Sequence, residues 1–304
     1  MRYTRSDLGH GNLCELDGIR VAGETNPTLR RRELGFLLRK YRTERGLSVE
    51  DVTARLLFSP TKLSRLETGR AGTSPRDIRD LCDLYKITDA AERERLMTLA
   101  REGKQRAWWQ EYALPYATYV GLEAEATSIS DYHSDLIAGL LQVEGYAREI
   151  FKAAEPPLDD ATIEQRVEAR MRRQALLTQD SGPLFHSILD EGALRRPVGG
   201  PTVMRAQMQR IIEAARSPRV TFQLIPLDVG AHPGMDSNFA ILGFEDSTVN
   251  DVAYVEGLIG NLYLENAGEL GRYKKIFSRL RSIALSSDDS IALVMQIAAT
   301  YKNT

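Results

Sequence analysis

Apolar positions recur at helical spacing through the first third of the chain and then give way to alternating runs, so two kinds of structure are expected in series. In "LRRRELGFLLRKYRTER", residues 29–45, Leu34, Leu37, Leu38 and Tyr41 fall on one stripe, and Gly46 ends the helix as a C-terminal glycine does. Ser48 caps a second helix, "SVEDVTARL", with Asp51 placed to reach back to the cap and Val49, Val52 and Leu56 on the buried face. Ser59 and Pro60 start a third, because the serine accepts an orphan N–H and proline needs none in the first turn; it runs to about Thr68, before Gly69. The Ser74-Pro75 pair repeats that signal for a fourth helix, and Asp89 opens a fifth.

Beyond Trp108 and Trp109 the texture changes. "YVGLEAEATSISDYHSDLIAGLLQVEGYAREIF" reads as helix with breaks, "EPPLDD" as a turn, and "DATIEQRVEARMRRQALL" as a capped amphipathic helix. The runs "LFHSILD", "RVTFQLIP", "NFAILGFE" and "DVAYVEG" read as strands, interrupted by the helix "PTVMRAQMQRIIEAAR". Two helices, "NAGELGRYKKIFSRLRSIAL" and "SSDDSIALVMQIAATY", close the chain. The predicted fold is multidomain: an all-α five-helix domain over residues 28–106 and an α+β domain over residues 107–304, preceded by an arm of residues 1–27.

A length of 304 residues with 42% hydrophobic and 27% charged positions suits two globular domains. No apolar run approaches the roughly 18 residues of a membrane span, and the first residues lack the charged-then-apolar pattern of a secretory signal, so a cytoplasmic protein without membrane contact is expected. The two cysteines, Cys14 and Cys82, have neither CxxC spacing nor a histidine cluster beside them, which predicts no disulfide framework, no metal site and no cofactor. Cys82 lies on an apolar helical stripe, as a core position does.

The net charge of −2 conceals an asymmetry. Residues 28–106 hold 19 Lys+Arg against 12 Asp+Glu, whereas residues 107–304 hold 18 against 26. One end of the chain can meet a polyanion and the other is repelled by it.

The third helix gives that asymmetry a direction. With Pro60 at 0° and roughly 100° per residue, Leu63 and Leu66 place the core near 270°, while Thr61, Ser64 and Arg65 point away and Lys62 sits at the flank. Glu67 comes round beside the core, where an unpaired carboxylate is costly, so a basic partner is predicted. Two helices joined by two residues, the second presenting short polar and cationic side chains, is the plan of a helix-turn-helix whose second helix enters the major groove of double-stranded DNA.

At "RTERGLSVEDV", "FSPTKLSRLETGR" and "SPRDIRDLCDLYKI", residues 28–106 resemble the five-helix helix-turn-helix domain of the XRE family, the relatives of phage lambda and 434 repressors. The resemblance implies that Glu67 pairs with Arg42, that Ser59 touches phosphate, and that base reading starts at Pro60, Thr61 and Arg65. The implied DNA-contacting set is Ser59, Thr61, Lys62, Ser64, Arg65 and Arg70. "RRR" at 30–32 could grip phosphate or form a solvated turn, and the 1–27 arm could be disordered or order against DNA or a second subunit. Two positions depart from the family pattern: Leu57 stands where glycine is usual, and Thr53 where alanine is. A left-handed leucine would cost about 1 kcal/mol, which predicts a looser turn.

The C-terminal part, through "WWQEYALPYATYVGLEAEATSI", "GLLQVEGYAR", "VEARMRRQALL", "LDEGALRRPVGGPTVMRAQMQRI", "GAHPGMDSNFAILGF" and "YVEGLIGNLYLE", resembles the large C-terminal domain of actinobacterial regulators of this type. The resemblance implies a small partner protein encoded beside it; the signal expected at this domain is that protein or a small-molecule effector. A homodimer is expected, because one short helix reads few base pairs. The candidate effector pocket comprises Trp108, Trp109, Glu191, Arg195, His232 and Glu256; ion pairing, capping and domain packing are the alternatives for the same residues. "GAHPGMDS" reads as a loop, either a plain connection or a binding element. With no nucleophile motif, phosphate loop or metal spacing, no catalytic residue and no enzymatic activity are expected. The rivals are an enzyme with a DNA-binding head and a pure protein-interaction module.

Overall fold

Helix α1 (Pro27–Glu44) starts two residues before the predicted Leu29. Asn26 makes the difference: its side-chain oxygen accepts from the N–H groups of Thr28 and Leu29 at 2.9 and 3.2 Å, and proline fits the first turn without a donor. The computed structural model describes residues 26–112, 114–245, 250–257 and 260–301, so residues 1–25 of the expected arm lie outside it.

Four further helices complete the N-terminal domain: α2 (Val49–Leu56), α3 (Pro60–Glu67), α4 (Pro75–Leu84) and α5 (Ala90–Glu102). Each starts at the predicted cap. Ser48 Oγ accepts from Asp51 N–H at 3.0 Å while Asp51 Oδ2 accepts from Ser48 N–H at 2.8 Å, a reciprocal capping box. Ser59, Ser74 and Asp89 each cap a helix with a side-chain oxygen that accepts one backbone N–H, from Lys62, Asp77 and Ala91 at 3.1, 3.0 and 2.9 Å. Leu34, Leu38, Val52, Leu63, Ile78, Leu81, Cys82 and Leu96 share one buried core. Gly35 brings α1 against the end of α3, since a Cβ there would lie 2.6 Å from the Leu66 carbonyl oxygen.

The C-terminal domain opens with α6 (Ala117–Glu123) and is organised on a six-stranded mixed sheet of order β3-β2-β1-β4-β5-β6. The strands are β1 (Ser128–His133), β2 (Leu184–Asp190), β3 (Val220–Ile225), β4 (Phe239–Gly243), β5 (Val252–Val255) and β6 (Leu262–Leu264). β1, β2 and β3 run parallel; β4, β5 and β6 join antiparallel. On one face α11 (Ala267–Ile283) packs Phe277 and Leu280 against Tyr132, Ile188, Ile225 and Phe239. The other face is covered by α6, α10 (Gly200–Ala214) and α12 (Ser287–Thr300), with α7 (Glu144–Lys152), α8 (Asp160–Arg173) and the short α9 (Glu191–Arg195) around them.

Three elements differ from the sequence reading. "SISDYH", expected within a broken helix, is β1 at the centre of the sheet, because pairing with β2 and β4 on both sides outweighs its polar composition. "LYL" is the edge strand β6, and Glu191–Arg195 is a helical turn following β2.

The domains meet where α1 lies against α6. Asn26 Nδ2 donates to the Gly121 carbonyl at 2.7 Å, and a Cβ on Gly121 would stand 2.3 Å from Thr28 Oγ1. Arg32, buried in this junction, forms an ion pair with Glu265 just before α11.

Candidate nucleic-acid interface and the C-terminal cavity

Leu63 and Leu66 fix the inner side of α3, and both are buried. Glu67 meets the partner it needs: Arg42 donates from Nε to Oε1 at 2.6 Å and from an Nη to Oε2 at 3.0 Å. Arg42 also donates to the Leu47 carbonyl at 2.9 Å, so one guanidinium ties α1 to α3 and to the loop before α2. These bonds to Glu67 raise the Arg42 guanidinium above its ordinary range despite burial.

The turn between α2 and α3 corrects an expectation. Leu57 adopts the left-handed conformation, φ 54° and ψ 37°, and Phe58 N–H donates to the Thr53 carbonyl at 3.1 Å, so the turn is tight without glycine. Thr53, the second departure, directs its hydroxyl to the Glu50 carbonyl of its own helix at 3.1 Å.

Outside, Thr61, Ser64 and Arg65 are exposed together, and among the described residues none of their side chains is engaged in a hydrogen bond or ion pair. Ser59 is exposed beside them; its oxygen accepts from Lys62 N–H, which leaves the hydroxyl proton available. The face therefore offers donors and one unpaired guanidinium, with a helix N-terminus at its edge.

Two of the predicted contacts are placed differently. Lys62 turns back into the domain, its ammonium 2.8 Å from Asp77 and 3.6 Å from the centre of the Phe58 ring. A charge already paired and stacked is not free to neutralise phosphate without giving up both contacts. Arg70 is exposed but lines a cleft of about 760 Å³ between the domains, with Arg32, Tyr263 and Glu265, rather than the outer face of α3. The "RRR" segment is likewise used internally: Arg30 pairs with Glu33 and Glu102, Arg31 donates to the Pro27 carbonyl, and Arg32 pairs with Glu265.

The six residues assigned to an effector pocket do not converge. Trp109 is buried in the C-terminal core and Trp108 packs edge-on against it, with Arg172 stacked 4.5 Å from the Trp108 ring. Glu191 is pinned by Arg195 Nε at 2.6 Å and by Leu227 N–H at 2.9 Å. His232 Nε2 lies 3.3 Å from Asp190 Oδ2, while its Nδ1 accepts from Gly234 N–H. Glu256 lines a cavity whose other walls come from residues outside this set.

This cavity, of about 230 Å³, lies between α8 and the sheet. Tyr119 and Glu123 of α6, Asp131 and His133 of β1, Arg166, Arg170 and Arg173 of α8, and Tyr254 of β5 line it. Asp131 and Tyr254 share a sheet face because both pair with Ala240 of β4. Arg173 and Glu123 form a buried bidentate pair, both contacts at 2.7 Å. Arg170 donates to Gln142 Oε1 at 2.6 Å and to the Tyr116 hydroxyl at 3.2 Å.

A signal for this cavity did exist in the sequence. At roughly 100° per residue, Arg166, Arg170 and Arg173 fall within the arc bounded by the buried Ala169 and Ile163, so three cations interrupt the apolar face of one helix. Asp131 carried no such signal, since its strand was not recognised.

Comparison with known families agrees with this division of the chain. A family described as "Helix-turn-helix domain" matches residues 33–96, and one described as "Domain of unknown function (DUF5753)" matches residues 116–296. No curated protein and no solved structure matches the chain significantly. The cavity lies almost wholly within the second match, and the α2–α3 turn within the first. No described helix is long and apolar enough to cross a membrane. The chain belongs to the DUF5753 family, here with a helix-turn-helix DNA-binding domain at its N-terminal side.

Proposed function

We propose that this protein is a cytoplasmic, sequence-specific transcriptional regulator of the XRE type, acting as a homodimer on double-stranded DNA, with a C-terminal domain that receives a signal from a small protein or a ligand. The observation that carries the reading is the outer face of α3: Thr61, Ser64 and Arg65 are exposed side by side, their side chains without partners among the described residues, behind the exposed cap Ser59. Arginine donates two hydrogen bonds to guanine, and threonine and serine read base edges or phosphate.

Dimerisation follows from the size of the reading head. An eight-residue helix spans few base pairs, and such proteins gain affinity by placing two helices one helical turn of DNA apart. The reading assigns the C-terminal domain no catalytic step, because Glu191, His232 and Glu256 do not meet at one centre.

Footprinting on a bound fragment tests the dimer: two related half-sites about 10 base pairs apart are expected, and protection of one isolated half-site removes it. Operator affinity measured with and without a small protein encoded beside this one tests the signal. Equal affinities at several salt concentrations would remove that partner.

A further inference from the structure

The cavity beneath α8 holds opposite charges that do not meet. Asp131 is only 4% exposed, its Oδ1 has no hydrogen-bond partner among the described residues, and its other oxygen lies 3.5 Å from His133 Nε2. Across the cavity, among the described residues, Arg166 forms no ion pair and the buried Nε atoms of Arg166 and Arg170 have no hydrogen-bond partner. Arg173 is already neutralised by Glu123. A buried carboxylate and two guanidiniums with donors to spare are costly unless something bridges them.

The walls narrow the chemistry further. Tyr116, Tyr119, Tyr254 and Phe151 supply apolar and aromatic surface. Burial pushes the Tyr116 phenol up, yet Arg170 and Arg173 outweigh it and bring the group below its ordinary value, a mark of positive potential on that side. A cavity of about 150 Å³ accepts benzene, so a volume of about 230 Å³ has room for a small organic molecule of amino-acid size.

We propose that this cavity binds a free amino acid or a close zwitterionic analogue, its carboxylate held by Arg166 and Arg170 and its ammonium by Asp131. The assignment deepens the signal-receiving reading given above and rests on it only for the regulatory consequence. Arg166, Tyr116 and Glu256 line both this cavity and the cleft that contains Arg32, Arg70 and Glu265. Occupancy therefore acts on a wall shared with the junction between the sensing domain and the DNA-binding head.

The experiment is isothermal calorimetry on the full chain with a panel of free L-, D- and ω-amino acids, each beside its counterpart lacking the amine and its counterpart lacking the carboxylate. At least one amino acid should bind saturably at one site per chain, with both counterparts at least ~10-fold weaker. Arg166→Gln and Asp131→Asn should each weaken that binding at least ~10-fold while the far-ultraviolet spectrum is kept. Absence of saturable binding across the panel overturns the proposal, as does equal binding of either counterpart or undiminished binding in both folded variants. DNA binding by the same preparations keeps the two claims apart. Protein that binds its operator but no amino acid defeats the ligand assignment alone, whereas protein that binds an amino acid but no DNA defeats the regulator reading alone.

Discussion

Arg42 grips both carboxylate oxygens of Glu67, at 2.6 and 3.0 Å, directly beneath the helix whose outer face carries Thr61, Ser64 and Arg65. With only 11% and 7% of the two side chains exposed, the pair sits largely out of water, and removing one member leaves the other charge uncompensated. Arg42→Met should cost about 3 kcal/mol of stability, read as a lower urea midpoint. The double change Arg42→Met/Glu67→Leu should recover much of the loss; a double variant as unstable as the single one would place the effect elsewhere.

Leu57 is the counterpart of that pair at the other end of α3. It occupies a left-handed conformation that costs a leucine about 1 kcal/mol, and at 92% exposure it returns almost nothing through packing. Leu57→Gly should therefore leave the domain as stable or stabilise it by up to about 1 kcal/mol, the gain being offset in part by the freer unfolded chain. Leu57→Val should destabilise it. A clear loss with glycine would mean that this side chain contributes to folding after all.

Acidity should act on the C-terminal domain through His186. Burial lowers its value, Arg281 adds to the effect, and the hydrogen bond to Gln223 at 2.8 Å opposes it. Because the folded value lies below the unfolded one of about 6.5, the unfolded chain takes up the proton first; stability is full above about pH 6.5 and falls as pH drops toward the folded value. The urea midpoint should be lower at pH 5.5 than at pH 7.5, and His186→Gln should shrink the difference. An unchanged difference would assign the pH response to another group.

Lys62 and Arg65 lie three residues apart on α3 and should behave differently. Arg65→Ala removes a free guanidinium from the reading face and should weaken specific DNA binding by about 1–3 kcal/mol with little effect on folding. Lys62→Ala removes an ammonium paired with Asp77 at 2.8 Å and should lower stability by roughly 0.2–1 kcal/mol, with a smaller effect on binding. Anisotropy titrations and urea unfolding of the two variants separate these outcomes.

The N-terminal domain was legible because its signals are local. Ser48 with Asp51, Ser59 with Pro60 and Asp89 each mark a helix start by chemistry confined to a few neighbouring residues, and each does so in the structure. β1 was not legible, since "SISDYH" becomes a strand only through partners 56 or more residues away in β2 and β4. The C-terminal cavity failed for the same reason. Only the arginines of α8 carried a local signal; Asp131 on β1 and Glu256 just after β5 carried none, and only long-range pairing brings the three regions together. Leu57 is the converse case, where a local energetic rule was right about strain but packing of α3 on α1 and α2 imposed the conformation anyway.

Selection of bound duplexes from a random DNA library, run with the unmodified protein beside Thr61→Ala/Arg65→Ala, tests the central claim most directly. The account predicts a near-palindromic motif that the unmodified protein enriches and the double variant does not. No enriched motif, or the same motif recovered with Thr61 and Arg65 both replaced, would contradict sequence-specific reading of DNA by α3.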